Sequence, residues 1–476
     1  MVDGTRLLSG RRVTPSEGSN PSLSAIRCRV LRSCQMVALA VLLACGETGN
    51  RNTPGNGDVS PMLAPMGDAA TGGAAARVSD AAAGASPVIT GDAGVAIDVG
   101  DAGPREPPYA ALFDSEYLPE FRITVSAEAL EALTVDPNTY QSATLTHAGQ
   151  SYANVGLRLK GRASFQGFDQ KPALKIKMDA FQTDQRLAGL KRLTLNNMTQ
   201  DASMAHEVLG YALLRAAGLP APRCNHARVF INDTYYGLYA NVQSLDEVFV
   251  SEVFQGEVGN LFDTSNDDYF VDLERELFPP AQETKFVLET NQNPADISDL
   301  TALIDAVSTG PEVGWMMAVE QHLNLDQVLM LGAVQAVMAD WDGYFGARNN
   351  YKLYHDTQSD KFVILPWGID QSFWYLQVDY AIDHSLSNRP RSIVYDRCAN
   401  DAACVARYRD KVQSALEIFE ELPLEALLGA VLEQAATAIA TDMRKPHSLL
   451  EHQTAVEELR AFLHERPASV RAQLSP

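Results

Sequence analysis

Residues 340–370 read D-W-D-G-Y-F-G-A-R-N-N-Y-K-L-Y-H-D-T-Q-S-D-K-F-V-I-L-P-W-G-I-D. A glycine-containing loop runs from Asp342 to Asn350. Two β-like runs, residues 351–354 and 361–365, then flank a polar turn, and Asp370 follows the second run. Because a β-hairpin returns the chain to its starting end, we expect Asn350 and Asp370 to lie close together. The order is therefore acid, loop, amide, hairpin, acid.

This order of side chains is the one that protein kinases use for phosphoryl transfer. A catalytic-loop Asp orients the acceptor hydroxyl, an Asn a few residues later binds metal, and an Asp beyond a hairpin binds Mg²⁺. Carboxylate and amide oxygens are the hard ligands that Mg²⁺ prefers. Asp and Asn are also frequent turn residues, so the spacing alone leaves a purely structural hairpin open.

Outside this stretch, the pattern predicts strands first and helices later. Strand-like alternation marks residues 121–125, 155–159 and 173–178, and Asn232-Asp233 predicts the turn of a hairpin over residues 228–242. Residues 203–217 have helical spacing, with Asp201 or Ser203 as the cap and Gly218 as the end, and the chain after residue 323 is mostly helical. A β-rich first half and a helical second half predict an α+β fold in two lobes.

Several motifs resemble the CotH (spore coat protein H) family. N-Y-K-L-Y and P-W-G-I-D, within residues 340–370, are similar to the family patterns N-Y-Y-L-Y and P-W-D-x-D. Further similar segments are residues 156–161 with Ser164 and Lys171, residues 195–197 with Asp201 and Ser203, and residues 217–222, 232–239 and 465–474. The resemblance covers about residues 110–476 and implies an atypical protein kinase-like fold.

The resemblance also implies an activity, a cofactor set and a substrate. It implies a metal-dependent kinase that binds ATP or another nucleotide with Mg or Mn. Such a kinase transfers phosphate to Ser or Thr hydroxyls of exported or surface proteins. Asp342 would orient or deprotonate the acceptor hydroxyl, and Asn350 and Asp370 would hold the metal.

The strands supply the candidates for nucleotide binding. Lys160 and Lys175 would neutralise the phosphates, and Lys175 lies in a strand-like run, as the phosphate-pairing Lys of kinases does. Glu207, on the following helix, is a candidate ion-pair partner for Lys175. Gln243 stands where the family usually has Glu, at a strand end that we expect near the nucleotide base. An exposed, solvated role remains the simplest alternative for any one of these lysines.

One departure leaves other functions open. Gly368 replaces an Asp of the family pattern P-W-D-x-D, which would weaken divalent binding if that position holds metal. A pseudokinase or cell-surface binding module that keeps the fold without transfer is therefore one alternative. A nucleotidyl transferase that moves AMP is another.

The N-terminal region has the features of an export signal. Residues 37–44 are apolar but shorter than the ~20 residues that span a bilayer as a helix, so they fit a signal peptide. With Cys45 they resemble the bacterial lipobox, in which the Cys is lipidated, although a plain secretory signal is the alternative. Residues 1–29 fit poorly ahead of such a signal, which suggests that the true start is nearer Val30 or Met36.

Composition separates the rest of the chain into a tether and a domain. After the signal and lipobox region at residues 1–45, residues 46–108 are rich in Gly, Ala, Pro and Asp and cannot offset their ordering entropy by burial. We therefore expect a disordered tether there, followed by a single kinase-like domain over residues 109–476. The predicted location is the cell envelope, periplasmic or surface, with the lipid anchor as the link to the membrane.

Charge and cysteines add two constraints. The net charge of −22 disfavours nucleic acid as a partner, since phosphate backbones select basic surfaces. Cys398 and Cys404 bracket a short polar segment and predict a local disulfide in an oxidising compartment. A zinc site is disfavoured because no second Cys or His pair stands at ligand spacing.

Overall fold

The structure is a computed structural model that describes residues 106–264, 270–275, 285–292, 295–386 and 390–475. The predicted signal and lipid-anchor region at residues 1–45, with Cys45, lies outside the described residues. So does the predicted tether, except for its last three residues.

Within the described ranges, seven strands close into a barrel in the order β1-β2-β3-β4-β5-β7-β6. β1 and β6 pair in parallel, and the other barrel pairs are antiparallel. The strands are β1 Glu120–Val125, β2 Gln141–His147, β3 Gln150–Lys160, β4 Ala173–Lys177, β5 Arg192–Asn196, β6 Cys224–Ile231 and β7 Thr234–Gln243.

Alternation along these strands separates an apolar interior from a polar outer face. Leu157, Ile176 and Leu193 are buried in the barrel core, because successive side chains of a strand point to opposite faces. Lys175 pairs with Arg158 on one side and Thr194 on the other, so these three positions share the opposite face. These polar positions of β3, β4 and β5 therefore lie side by side on the face opposite the barrel core, where Thr194 is fully buried.

The predicted turn at Asn232-Asp233 joins β6 to β7. Both residues have positive φ, 47° and 60°. Two successive positive φ values define a type I′ turn, whose twist matches that of the flanking strands, and Asn and Asp tolerate this conformation well.

A second sheet of four strands, again within the described residues, has the order β11-β10-β8-β9. The predicted hairpin after Asn350 forms its β10–β11 pair, with Tyr351 opposite Pro366 and Asp356 opposite Lys361. The strands are β8 Leu261–Thr264, β9 Phe286–Leu288, β10 Tyr351–Asp356 and β11 Lys361–Pro366.

The helices are concentrated after the barrel, and most of them bury an apolar side in the main core. They are α1 Ala127–Val135, α2 His206–Ala216, α3 Glu247–Val253, α4 Ser298–Thr309, α5 Trp315–Val319, α6 Leu325–Val337, α7 Tyr344–Ala347, α8 Ile393–Ala399, α9 Ala402–Glu421, α10 Leu424–Thr441 and α11 Leu449–Leu474. By length and composition alone α10 could cross a membrane. One side of this helix, which includes Leu428 and Ala435, is buried against the main core.

The predicted mixture of strands and helices is confirmed. The predicted helix at residues 203–217 starts later than expected, at His206. Asp201 and Ser203 form a turn ahead of it, in which the Asp201 carboxylate accepts hydrogen bonds from the backbone N–H groups of Met204 (3.0 Å) and His206 (2.8 Å). At the other end Gly218 has a φ of +72°, a conformation that suits glycine at a helix end.

Candidate active site

Asp342 and Asn350 lie in direct contact at the start of the β10–β11 hairpin. The Asn350 Nδ2 donates to Asp342 Oδ2 at 2.9 Å and to the Asp342 carbonyl at 3.2 Å, and Asn349 Nδ2 donates to Asp342 Oδ1 at 3.3 Å. Arg348 and Asn350 both have positive φ, 54° and 53°. Left-handed backbone at non-glycine residues is held by its surroundings and clusters at functional sites. The loop therefore presents the Asp342 carboxylate in one fixed orientation.

Asp370 returns to the same place after the second hairpin strand. The Trp367 N–H donates to the Asn350 carbonyl at 3.0 Å, and the position of a Cβ on Gly368 would lie 2.9 Å from Asn350 Oδ1. On its other side, His206 Nδ1 lies 2.9 Å from the Asp370 carbonyl, which ties Asp370 to the first turn of α2. Asp342, Asn350 and Asp370 are thus brought into one cluster.

The Asp370 carboxyl group lies among other acids. Burial, followed by the charges of Asp342 and Asp201, raises its pKa to about 7, while Lys160 acts in the opposite direction. A cluster of carboxylates that disfavour each other's ionisation is an environment that a cation would stabilise. The electrostatics therefore favour a bound positive ion beside Asp370.

Lys160 faces this cluster from the end of β3. Its Nζ donates to Asn196 Oδ1, and Asn196 Nδ2 in turn donates to Glu207 Oε1 at 2.7 Å. Burial lowers the pKa of Lys160, and the carboxylates of Glu207 and Asp370 oppose this effect. The pKa of Glu207 is raised to about 8, first by burial and then by Asp370. A neutral amide thus links the candidate phosphate-binding Lys to the acid on α2.

Lys175 lies in a different group of charges from the one predicted. Burial lowers its pKa to about 7, with Lys352 and Arg158 adding to the effect and Asp263 and Glu289 opposing it. We predicted Glu207 as the partner of Lys175, but the structure places Glu207 with Lys160. The reason is the register: Lys160 ends its strand beside α2, whereas Lys175 pairs with Thr194 within the sheet.

Gln243 is not brought together with the other candidates. Its side chain is buried, accepts from the Arg223 N–H at 3.0 Å through Oε1, and donates to Glu252 at 3.0 Å through Nε2. In the register of the sheet Gln243 stands opposite Leu193, a residue of the barrel core, while the neighbouring Val242 stands opposite Thr194. Gln243 therefore supports the C-terminal end of β7 from the side away from Lys175.

A surface cavity of about 800 Å³ lies between the segment after α2 and helices α6 and α9, and Glu252, the partner of Gln243, is one of its lining residues. It is lined in part by Arg215, Met330 and Lys411. None of the candidate site residues lines it, and the chemistry of the cluster around Asp370 is the stronger indication of function.

Two further residues position the site and were not predicted. Asp340 is fully buried, accepts from Gln335 Nε2 at 3.0 Å, and its Oδ1 has no hydrogen-bond partner within the described part of the chain. Burial, followed by the Asp342 charge, raises its pKa well above the ordinary range. The D-W-D spacing could have indicated a second acid, but nothing in it marks the first Asp as buried.

Arg466 is the second of these residues. It is fully buried on α11 and donates to the carbonyls of Ala336 (2.7 Å) and Val337 (3.1 Å), at the end of α6, and to those of Val378 (2.6 Å) and Tyr380 (2.8 Å). These four carbonyls belong to the segments before Asp340 and after Asp370. The C-terminal helix therefore locks together the two parts of the chain that carry the acids. Arg466 lies in the segment 465–474 that resembles the family, but a sequence does not show where a buried Arg points.

The donor set fits a metal that arrives with a phosphate ligand. Across the described residues, no group of three or more His, Cys, Asp or Glu side chains is placed to hold a metal ion. Asn350 and Asp370 provide one amide and one carboxylate, and Mg²⁺ is usually held by one or two carboxylates together with phosphate oxygens. The residues thus fit a nucleotide-bound cation better than a permanent protein-only metal centre.

Cys398 and Cys404 are not part of the candidate active site. They form a disulfide between the end of α8 and the first turn of α9. Both are buried. Among the described cysteines, Cys224 is the free one.

Comparison with known proteins identifies the family. The sequence model described as CotH kinase protein matches residues 157–470, which include every candidate active-site residue. The chain belongs to the CotH kinase family.

Two relatives illustrate how distant the similarity is. The inner spore coat protein H of Bacillus subtilis (strain 168) is 24% identical over 198 residues, which are 41% of this chain and 53% of that protein. Invasin CotH7 of Rhizopus delemar is 25% identical over 281 residues, 55% of this chain and 44% of the relative. The chain thus spans about half the length of the curated relatives that it matches.

Among solved structures, the Helicobacter pylori proinflammatory kinase CtkA is similar at 9% sequence identity, over 62% of this chain and 95% of that one. The TM-score is 0.26, and no argument below depends on this similarity.

Proposed function

We propose that this protein is a metal-dependent phosphotransferase that moves a phosphoryl group from a nucleotide to a Ser or Thr hydroxyl of another protein. One observation carries the proposal: Asp342, Asn350 and Asp370 form one cluster, and Lys160 with Glu207 faces it from the barrel. The Asp342 charge opposes ionisation of the neighbouring Asp370, so a divalent cation with its accompanying phosphates would be stabilised beside these two carboxyl groups.

The fold supports the same reading. We interpret the barrel as one lobe of a kinase-like fold, and the second sheet with the helices after it as the other. Lys160 belongs to the first lobe and Asp342, Asn350 and Asp370 to the second. A cleft between two such bodies is where kinases bind a nucleotide with its phosphates directed at the metal-binding acids.

In the proposed reaction, the acceptor hydroxyl is held by Asp342. Its oxygen attacks the terminal phosphorus, a new O–P bond forms, and the bond between that phosphorus and the bridging oxygen breaks, so that the nucleoside diphosphate leaves. The hydroxyl proton passes to the Asp342 carboxylate. Lys160 would neutralise charge on the phosphate oxygens, and Asn350 and Asp370 would hold a divalent cation, which would supply charge stabilisation to the phosphates.

Transfer of labelled phosphate tests this proposal directly. The purified full chain is incubated with radiolabelled ATP, Mg²⁺ or Mn²⁺ and a Ser/Thr-containing protein such as casein. Wild type should transfer label, and Asp342→Asn, which keeps the size of the side chain but cannot take the proton, should not. Label transfer by Asp342→Asn at the wild-type rate would refute the role of Asp342. Intact-mass measurement distinguishes an added phosphate from an added AMP.

A second function has one observation in its favour. Gly368 has a φ of +54° and lies against the Asn350 side chain, where the family pattern has an Asp. If that position normally contributes a carboxylate, this chain binds metal more weakly and could serve as a nucleotide-binding module without transfer. ATP-dependent stabilisation on heating, without label transfer, would support the binding module.

We also propose that the protein works outside the cytoplasm, attached to the cell envelope through a lipid on Cys45. The disulfide between Cys398 and Cys404 supports an oxidising compartment, because cytosolic thiols are kept reduced. Exported proteins with exposed Ser or Thr are then its substrates. Replacement of Cys45 by Ala should release the protein from the membrane fraction, and a variant that stays in that fraction would rule out this anchor.

A further inference from the structure

Residues 161–172 form a loop that follows Lys160 directly and leads back into β4. Gly161 has a φ of +104°, and the loop has few turns of its own, such as Phe165 N–H to the Arg162 carbonyl (3.3 Å) and Gln170 N–H to the Gly167 carbonyl (3.0 Å). Such sparse internal bonding would leave an isolated loop free to open. The conformation of the loop must therefore be held by contacts with other parts of the chain.

The connection between α10 and α11, residues 442–448, supplies this support, and we call it the clasp. Arg444 Nη1 donates to the carbonyls of Phe168 at 3.1 Å and Gln170 at 2.6 Å. Its guanidinium lies 4.1 Å from the centre of the Tyr236 ring, and the Tyr236 hydroxyl donates to the Phe168 carbonyl at 3.2 Å. One Arg of the clasp thus binds two backbone positions of the loop and stacks on a barrel residue.

Asp442 of the clasp fixes the end of the loop. It pairs with Lys171 at 2.7 Å, and both side chains are fully buried. The same carboxylate accepts from the backbone N–H groups of Leu238 (3.1 Å) and Arg444 (2.8 Å), so the buried charges are paired and hydrogen-bonded. Lys171, which matches the family pattern, is consequently an anchor of the loop in this chain and is not available to a phosphate.

The clasp also reaches the loop before α2, residues 197–205, which carries Asp201. His447 Nε2 lies 3.1 Å from the Thr199 carbonyl, and His452 Nδ1, in the first turn of α11, lies 2.9 Å from the Ala202 carbonyl. Asn197 then joins the two loops, because its Nδ2 donates to the carbonyls of Ser164 and Lys171, both at 2.9 Å. The two loops that flank Lys160 and Asp370 are therefore held by one C-terminal segment.

We propose that the clasp positions residues 161–172 beside the phosphates of the bound nucleotide, with Arg444 as the main positioning residue. The inference rests on the proposed function, since it assumes that a nucleotide binds at Lys160. A loop that is held in its binding conformation loses less entropy when a ligand arrives. Loss of the clasp therefore weakens nucleotide binding while the transferring groups, which Arg444 does not touch, stay in place.

Arg444→Ala in the full chain tests this, with Arg444→Lys as the conservative variant. Arg460→Ala is the control, because Arg460 belongs to the same helical region and pairs with Glu425 away from both loops. In Arg444→Ala we expect about tenfold faster amide hydrogen exchange confined to residues 161–172. We also expect an about three- to tenfold higher KM for ATP with kcat within about twofold. Arg444→Lys should be intermediate, and Arg460→Ala should match wild type.

Several results would overturn the inference. Unchanged exchange in the loop, faster exchange across the whole barrel, or an unchanged KM for ATP would each show that the clasp does not position the loop for the nucleotide. If Arg444→Ala does not fold, Tyr236→Phe removes one hydrogen bond to the same loop and should raise the KM to a smaller extent. A wild-type chain that shows no ATP-dependent change in melting temperature refutes the proposed function, and this inference with it; a normal shift in both wild type and Arg444→Ala refutes the clasp alone.

Discussion

Asn350 directly precedes β10 and Lys352 is the second residue of that strand, but the two residues stand in opposite electrostatic surroundings. Lys352 is buried and bonded to both Asp263 (2.8 Å) and Glu289 (3.0 Å). Burial opposes its charge, yet these two carboxylates more than compensate, so its pKa is raised. Near Asn350, by contrast, the carboxyl groups of Asp342 and Asp370 lie close enough for the charge of Asp342 to raise the pKa of Asp370.

The difference separates a structural charge cluster from a functional one. Lys352 bonds to two carboxylates of the protein, which is the usual condition for a buried charge. Around Asp370, burial and then the neighbouring acids raise the pKa values of Asp370 and Glu207 to about 7 and about 8, and Lys160 offsets this only in part. The cluster around Asp370 therefore lacks positive charge, and a bound cation would supply it.

The largest effect should come from removal of one acid of the functional cluster. Asp370→Asn should lower phosphate transfer by at least about 100-fold, since the metal ligand and its charge are lost. It should also abolish the rise in melting temperature caused by Mn²⁺ with ATP. Asp263→Asn is the matched control: it removes an acid of the Lys352 cluster and should leave the transfer rate of folded protein unchanged. Equal rates for Asp370→Asn and wild type would remove the basis of the proposed site.

The next prediction concerns stability, and here the larger effect is expected at the Lys352 cluster. Lys352→Met leaves two partly buried carboxylates without their counterion and should lower the free energy of unfolding by about 3–5 kcal/mol. Lys160→Met should lower it by less than about 1 kcal/mol, because Lys160 is bonded to the Asn196 amide and Glu207 is able to hold a proton at neutral pH. Urea unfolding of the metal-free protein at pH 7 measures both. Similar losses for the two variants would contradict the distinction between the clusters.

A smaller effect is expected from pH. The folded pKa values of Asp370 and Glu207, about 7 and about 8, exceed the ordinary values of 3.8 and 4.5. The folded chain therefore binds more protons than the unfolded chain between these limits, and stability falls as pH rises through this window. We expect the melting temperature of metal-free protein to fall by a few degrees between pH 5 and pH 8, and added Mn²⁺ with ATP to have its largest effect at the upper end.

Other groups titrate in the same range, so the pH profile needs a reference variant. His355, whose pKa is raised chiefly by its hydrogen bond to Asp299, also loses stabilisation as pH rises. Glu207→Gln retains that contribution and removes one of the two acids of interest. A profile of Glu207→Gln as steep as that of wild type would show that the slope arises elsewhere.

The sequence predicted the parts of the site that are close along the chain. Asp342, Asn350 and Asp370 come together because a loop and a hairpin connect them. Both elements can be predicted from nearby residues, the loop from its glycines and the hairpin from two β-like runs around a polar turn. The pairing of Lys160 with Glu207 depends on barrel register, which alternation alone does not specify, so Glu207 was assigned to Lys175. Arg466 and Arg444 contact segments that are distant along the chain, and no local sequence pattern connects Arg466 with the segments that carry the acids or Arg444 with the loop at residues 161–172.

The smallest predicted effect concerns the one residue that departs from the family pattern. Gly368→Asp adds a carboxylate next to Asn350, but at a φ of +54° and with a Cβ 2.9 Å from Asn350 Oδ1. The left-handed backbone should cost about 1 kcal/mol, less for Asp than for most residues. We expect a melting temperature lower by a few degrees without metal, and an about three- to tenfold higher affinity for Mn²⁺ in the presence of ATP. Gly368→Ala carries at least as much backbone strain without the charge, so the gain in affinity should be absent from it. If both variants bind Mn²⁺ equally, position 368 does not face the metal, and the glycine is explained by its backbone conformation alone.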